Sequence, residues 1–88
     1  MEVQDVIRRT KEVLVTRFDL GVQAGAISDN EPIFEAGLGL DSMAAVELLV
    51  GIEEAFGVRI DDHDLTASNF ETVRSVAQLV HRKIAGRQ

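Results

Sequence analysis

With 88 residues the chain is long enough for one small hydrophobic core, and a single surface site is expected rather than a deep active-site pocket. It has no cysteine, which removes disulfides, thiolate metal sites and any thiol nucleophile of its own, so thiol chemistry would have to come from an attached group. No apolar run approaches membrane-spanning length and Met1-Glu2-Val3-Gln4-Asp5 lacks the basic start of a signal peptide, so one soluble, cytoplasmic domain over residues 1–88 is expected.

Residues 2 to 18 open the chain with Val3, Val6, Ile7, Thr10, Val13, Leu14 and Phe18 at three- and four-residue spacing, the pattern of a one-sided helix ending near residues 18 to 20. The Asp19-Leu20-Gly21 step, Ala24-Gly25-Ala26 and the turn cluster Ser28-Asp29-Asn30-Glu31-Pro32 begin a long connection that runs to Leu40. Such a loop inside a small domain needs anchors and often carries function. Ile27, Ile33, Phe34, Leu38 and Leu40 are the expected anchors.

Asp41 is a good helix N-cap, and a second helix is expected from Ser42 to Phe56 with Gly57 ending it as a C′ glycine. Ala45, Leu48, Leu49, Ile52, Ala55 and Phe56 make a core face. Met43, Val46 and Val50 form a second apolar line beside Glu47, Glu53 and Glu54, which a helix with one buried face does not need; pattern alone would also allow all of them to be core. Gly51 in mid-helix costs about 1 kcal/mol relative to alanine and suggests close packing or simple drift. Val58-Arg59-Ile60 is a short extended link. Asp61-Asp62-His63-Asp64 lacks the alternating ligands, central glycine and distal glutamate of a calcium loop, so no metal site is expected, and Asp61 or Asp62 is expected to cap one or two helical turns in Leu65-Thr66-Ala67-Ser68-Asn69-Phe70. The last helix begins near Thr72, with Val73, Val76, Ala77, Val80 and Ile84 on one stripe, and frays at Ala85-Gly86-Arg87-Gln88. The expected fold is all-α, a small antiparallel four-helix bundle with three longer helices, a short third helix and a long loop between the first two.

The net charge of −6 is concentrated: ten acidic residues between Ser28 and Asp64 stand against Arg59 alone, whereas residues 1–20 balance four Lys/Arg against four Asp/Glu. An acidic middle repels phosphate backbones, which argues against nucleic-acid binding, and it steers in partners with basic patches. A solvated face kept for solubility would carry the same charge. Catalysis by Ser42 would need a base and an oxyanion hole. The only histidines, His63 and His81, stand in no serine-hydrolase context, and Leu40-Asp41-Ser42-Met43-Ala44 is not a nucleophile elbow, so no catalytic residue is assigned. A serine at the positive end of a helix is well placed to carry an anionic phosphodiester.

Gly39-Leu40-Asp41-Ser42-Met43, with Phe34 eight residues before the serine and Val46-Glu47-Leu48 after it, resembles the attachment motif of the phosphopantetheine carrier domains, the acyl and peptidyl carrier proteins. Phe56-Gly57-Val58-Arg59-Ile60 and Asn69-Phe70-Glu71-Thr72-Val73 extend the resemblance, which covers residues 27 to 84. It implies that Ser42 receives a 4′-phosphopantetheine arm from coenzyme A through a phosphopantetheinyl transferase that reads Asp41. It implies further that acyl groups travel as thioesters to partners docking on Met43, Val46, Glu47, Val50, Glu53 and Glu54, among them an acyl-loading enzyme and enzymes of ketosynthase or acyltransferase type. A monomer without catalytic activity is implied as well. Met43 and Ala44, and Leu40 between Gly39 and Asp41, depart from common subtypes. A discrete acyl carrier of a polyketide or fatty-acid-like pathway is the expected subtype, with a free-standing aminoacyl, peptidyl or D-alanyl carrier second. A non-covalent acidic helical adaptor is the expectation of another class.

Overall fold

The computed structural model describes residues 1–34, 38–41 and 43–86. Its α-helices are α1 (Val3–Phe18), α2 (Ala44–Phe56) and α3 (Val73–Gly86), with single 3-10 turns at Ala24–Ala26 and Asp62–Asp64. Among the described residues extended pairing is limited to two isolated bridges, Pro32 with Thr72 and Phe34 with Leu40. The chain is all-helical, as its periodicity requires.

In α1, Val6, Ile7, Thr10 and Leu14 are buried, the stripe that the three- and four-residue spacing describes. Thr10 is satisfied there by donating its hydroxyl to the Val6 carbonyl at 2.7 Å. The helix stops at Asp19, which takes the left-handed conformation (φ 49°) and returns its N–H to the Val15 carbonyl. The stripe of α3 comprises Val73, Val76, Ala77 and Val80, and Leu79 is buried beside it. Leu79 was not expected in the core, because the periodicity of α3 picks out one stripe and its neighbours cover a second.

Three contacts set the course of α1 along α2. Arg9 donates to the Ala55 carbonyl at 3.0 Å and lies 5.2 Å from the Phe56 ring centroid, Val13 approaches Gly51, and Arg17 reaches Glu47. Residues ascending in α1 meet residues descending in α2, so the two helices are antiparallel. A Cβ on Gly51 would come within 3.1 Å of Val13 Cγ1, so this glycine marks a close approach, not drift. Leu48, Ile52 and Phe56 face the core, while Ala45, Leu49 and Ala55 are half-buried at its margin.

The link after α2 adds to the core as well. Gly57 takes φ 66° and donates to the Glu53 carbonyl, ending α2 as a C′ glycine, and Val58 and Ile60 are buried on either side of exposed Arg59. Of the one or two helical turns expected around residues 65–70 one is present, closed by Phe70 N–H to Thr66 O (3.2 Å), and it follows a 3-10 turn around which Asp61 and Asp64 form a capping box. Side chains compete with a regular ladder there, since Asn69 N–H donates to Thr66 Oγ1 and Asn69 Nδ2 to the Asp64 carbonyl. Thr72 and Ser75 cap α3 reciprocally, each side-chain oxygen accepting the other's N–H at 3.1 and 2.9 Å.

Candidate functional site

The long connection delivers the chain to the start of α2. Ile27 and Ile33 are buried, with Phe34, Leu38 and Leu40 packed against the same core, so all five expected anchors serve that purpose. Leu38 N–H donates to the Pro32 carbonyl at 2.9 Å, and between Leu38 and Leu40 the backbone takes φ 76° at Gly39, a conformation that a side chain would strain. Asp41 then turns the chain into the helix: its Oδ1 and its carbonyl accept the Ala44 N–H at 3.1 and 3.0 Å. The expected capping carboxylate is therefore present. Regular helix runs from Ala44, with Met43 already in helical conformation as its N-cap. Ser42, the expected attachment residue, lies outside the described residues.

Around this entry the surface is open. Met43 is 84% exposed and Val46 70%, which separates them from the core face of α2. Val50 is half-buried and lines an open hollow with Glu53, Glu54, Arg59, Asp61 and Asp62. The three expected docking glutamates differ from one another. Glu47 and Glu54 are exposed and both accept from Arg17 of α1, whereas Glu53 is half-buried and its Oε2 accepts the Ile60 N–H at 2.8 Å, bracing the link after α2. The Arg17 bridge was not legible beforehand. Its trace in the sequence is Glu47, Gly51 and Glu54 at i, i+4 and i+7, but nothing local says which basic residue crosses that stripe.

A second acidic group, Asp61, His63 and Asp64, brings its ligand-type atoms within 4.8 Å of one another. Lys83 is already seated there, 3.1 Å from Asp61 Oδ2 and 2.5 Å from Asp64 Oδ2. Its hydrogen bond holds the Asp64 carboxyl below the usual carboxylate range, and the same bond raises Lys83. Asp64 also accepts the Asp61 N–H at 2.9 Å, so these groups tie α3 to the turn before it.

The family profile described as "Phosphopantetheine attachment site" matches residues 19–80 of this chain. The chain belongs to that family. An acyl carrier protein of Phytoplasma australiense is 32% identical over 80 residues, 91% of this chain and 99% of that protein. The solution structure of a holo acyl carrier protein from Nitrosomonas europaea is 28% identical, superposes with a TM-score of 0.79, and is covered over 90% of this chain and 95% of that one. A chain of the crystal structure of an engineered Bradyrhizobium japonicum glycine:[carrier protein] ligase complexed with carrier protein from Agrobacterium tumefaciens and ATP is 30% identical, with a TM-score of 0.69 and coverage of 92% and 99%. The family is one of carriers, not catalysts, and its prosthetic group is a covalently attached 4′-phosphopantetheine.

The residues present fit that group. The chain has no cysteine and so no thiol of its own, and Gly39, Asp41 and Met43, on either side of residue 42, are all exposed at the capped end of a thirteen-residue helix. No helix among the described residues is long and apolar enough to cross a membrane.

Proposed function

We propose that the chain is a monomeric acyl carrier protein, with residues 1–88 forming one carrier domain that works in the cytoplasm and whose Ser42 bears the 4′-phosphopantetheine arm. The observation that carries this reading is Gly39-Leu40-Asp41-Ser42-Met43 at the exposed entry to α2, inside the residues that match the family. Asp41 serves twice: it caps α2, and its exposed carboxylate is read by the phosphopantetheinyl transferase. When attached, the arm supplies the thiol that holds an acyl group as a thioester. The chain itself contributes the positive end of a helix near the phosphodiester, an apolar line at Met43, Val46 and Val50, and the acidic edge of Glu47, Glu53 and Glu54 for docking. On this reading segment 61–70 takes the place of the short third helix of a four-helix bundle.

Fatty-acid-like or polyketide enzymes, an acyl-loading enzyme with a ketosynthase or acyltransferase, are the proposed partners. The likeness to the ligase-bound carrier complex favours a second reading, a free-standing aminoacyl carrier. The deciding experiment incubates apo protein with coenzyme A, magnesium and a broad-specificity phosphopantetheinyl transferase, reads the intact mass, and then offers the holo protein to acyl and aminoacyl ligases in parallel. One added arm on the wild type and none on Ser42→Ala is the expected result. A wild type that gains no arm would leave the non-covalent adaptor standing instead, and loading by an aminoacyl ligase alone would select the second reading.

A further inference from the structure

Arg17 reaches from α1 across the backbone of Gly51. A Cβ built on that glycine would lie 3.2 Å from both Cγ and Nε of Arg17, so the space a side chain would fill is where the arginine runs. Gly51 follows Glu47 by four residues and precedes Glu54 by three, which puts all three on one stripe of α2. At the end of this notch the guanidinium forks: Nη1 donates to Glu47 Oε1 at 2.7 Å and Nη2 donates to Glu54 Oε1. The arginine lies beneath its partners, its side chain 29% exposed against 51% for Glu47 and 65% for Glu54.

We propose that Arg17, seated in the Gly51 notch, is an internal counter-ion that gates the charge of the docking face, so that a basic enzyme surface must share or displace it to pair with Glu47 and Glu54. This rests on the reading of α2 as the docking helix. The occupant is an enzyme surface bearing Arg or Lys, because ten carboxylates against one basic residue between Ser28 and Asp64 leave that middle segment strongly acidic. Arg17 cancels part of this field at one edge of α2 while Met43 and Val46 stay open at 84% and 70% exposure. Contact with the apolar pair then discriminates among partners more than charge does, and a face carrying fully free glutamates would attract basic surfaces indiscriminately.

The test is the rate of arm transfer to apo protein by a broad-specificity phosphopantetheinyl transferase, measured across a salt titration. Arg17→Met keeps the stem over Gly51 and removes the charge. It should raise kcat/KM about 2- to 5-fold at low ionic strength, through KM, with the gain disappearing at high salt. Arg17→Lys, which keeps the charge, should stay near wild type, and Arg17→Gln serves in place of Arg17→Met should the latter not hold its circular dichroism. In a Glu47→Gln, Glu54→Gln background, Arg17→Met should change nothing. If the glutamate variant is slow but Arg17→Met and Arg17→Gln match the wild type, the gate is wrong and the docking face stands. If the glutamate variant loads at wild-type rates at every salt concentration, face and gate both fall.

Discussion

The two ends of the connection between α1 and α2 are held by different forces. The earlier part, residues 27–33, is clamped from both sides: Lys11 of α1 donates to Asp29 Oδ1 at 2.5 Å, Arg74 of α3 reaches Asp29 and Asn30, and the backbone bonds Arg74 N–H to Asp29 O, Val73 N–H to Glu31 O and Ile33 N–H to Glu71 O tie it to the start of α3. The described residues of the later part, 38–41 and 43, show short-range bonds instead, Leu38 to Pro32, Leu40 to Ile33 and Ala44 to Asp41, and Gly39, Asp41 and Met43 are exposed. The difference shows how one connection in a small domain can combine a clamped stretch with an exposed one, the end that would present the proposed attachment residue. Long-range ion pairs and buried isoleucines hold the fixed end, and the presenting end is left to a glycine turn and a helix cap.

Five substitutions test that division. The largest effect should come at the presenting end and leave the fold untouched: Ser42→Ala should abolish arm transfer, read as intact mass, with an unchanged melting temperature. An arm on the variant would move the attachment point elsewhere. At the clamped end Ile33→Ala should cost about 2 to 4 kcal/mol, because its side chain is fully buried, and half-buried Leu40→Ala should cost about half as much. Equal losses in denaturant titrations would mean that both ends are load-sharing and the contrast is false.

Asp29→Asn should be milder, about 1 kcal/mol at neutral pH, since it removes a half-buried pair with Lys11 and a weaker one with Arg74. Lys11's hydrogen bond, the main cause, holds the Asp29 carboxyl below its ordinary value. A carboxyl whose folded pKa is depressed contributes stability that is present above the unfolded value, about 3.9, and is lost as pH falls through the lower folded value. Wild-type melting temperature should therefore drop in that acid range, and Asp29→Asn, starting lower at neutral pH, should drop less. Superimposable acid limbs would show that the pair does not couple to folding.

The smallest structural effect is expected from Asp41→Asn, which preserves a capping side chain at α2 and removes only charge, changing stability by a few tenths of a kcal/mol. Arm transfer should nevertheless slow several-fold if the transferase reads the carboxylate. Parallel losses of stability and rate would assign Asp41 to capping alone.

Much of this architecture could be read from local pattern. The α1 stripe, the loop anchors, Gly57 at the end of α2 and the capping carboxylate of Asp41 all depend on residues a few positions apart, and they stand as the spacing requires. Legibility failed where a side chain chooses between near and distant partners. Glu53, an expected docking acid, also braces the chain by accepting from Ile60 N–H, and Leu79, which is outside the expected stripe of α3, is buried. The segment around Leu65 reads as helix, yet Asn69 and Thr66 spend their hydrogen bonds on the local backbone.

By itself the sequence determined which residues share a face, where helices cap and break, and the attachment motif that ties the chain to its family, because periodicity, turn chemistry and motif register are local properties. Which faces meet was decided only by the tertiary structure. The chain-wise separation of acidic middle and more basic ends is partly offset when Lys11, Arg17, Arg74 and Lys83 fold back onto Asp29, Glu47, Glu54, Asp61 and Asp64. Arg17 and Glu47 are thirty residues apart, and no short-range rule pairs them. They meet because Gly51 lets α1 lie close against α2, a packing fact that exists only once both helices are in place.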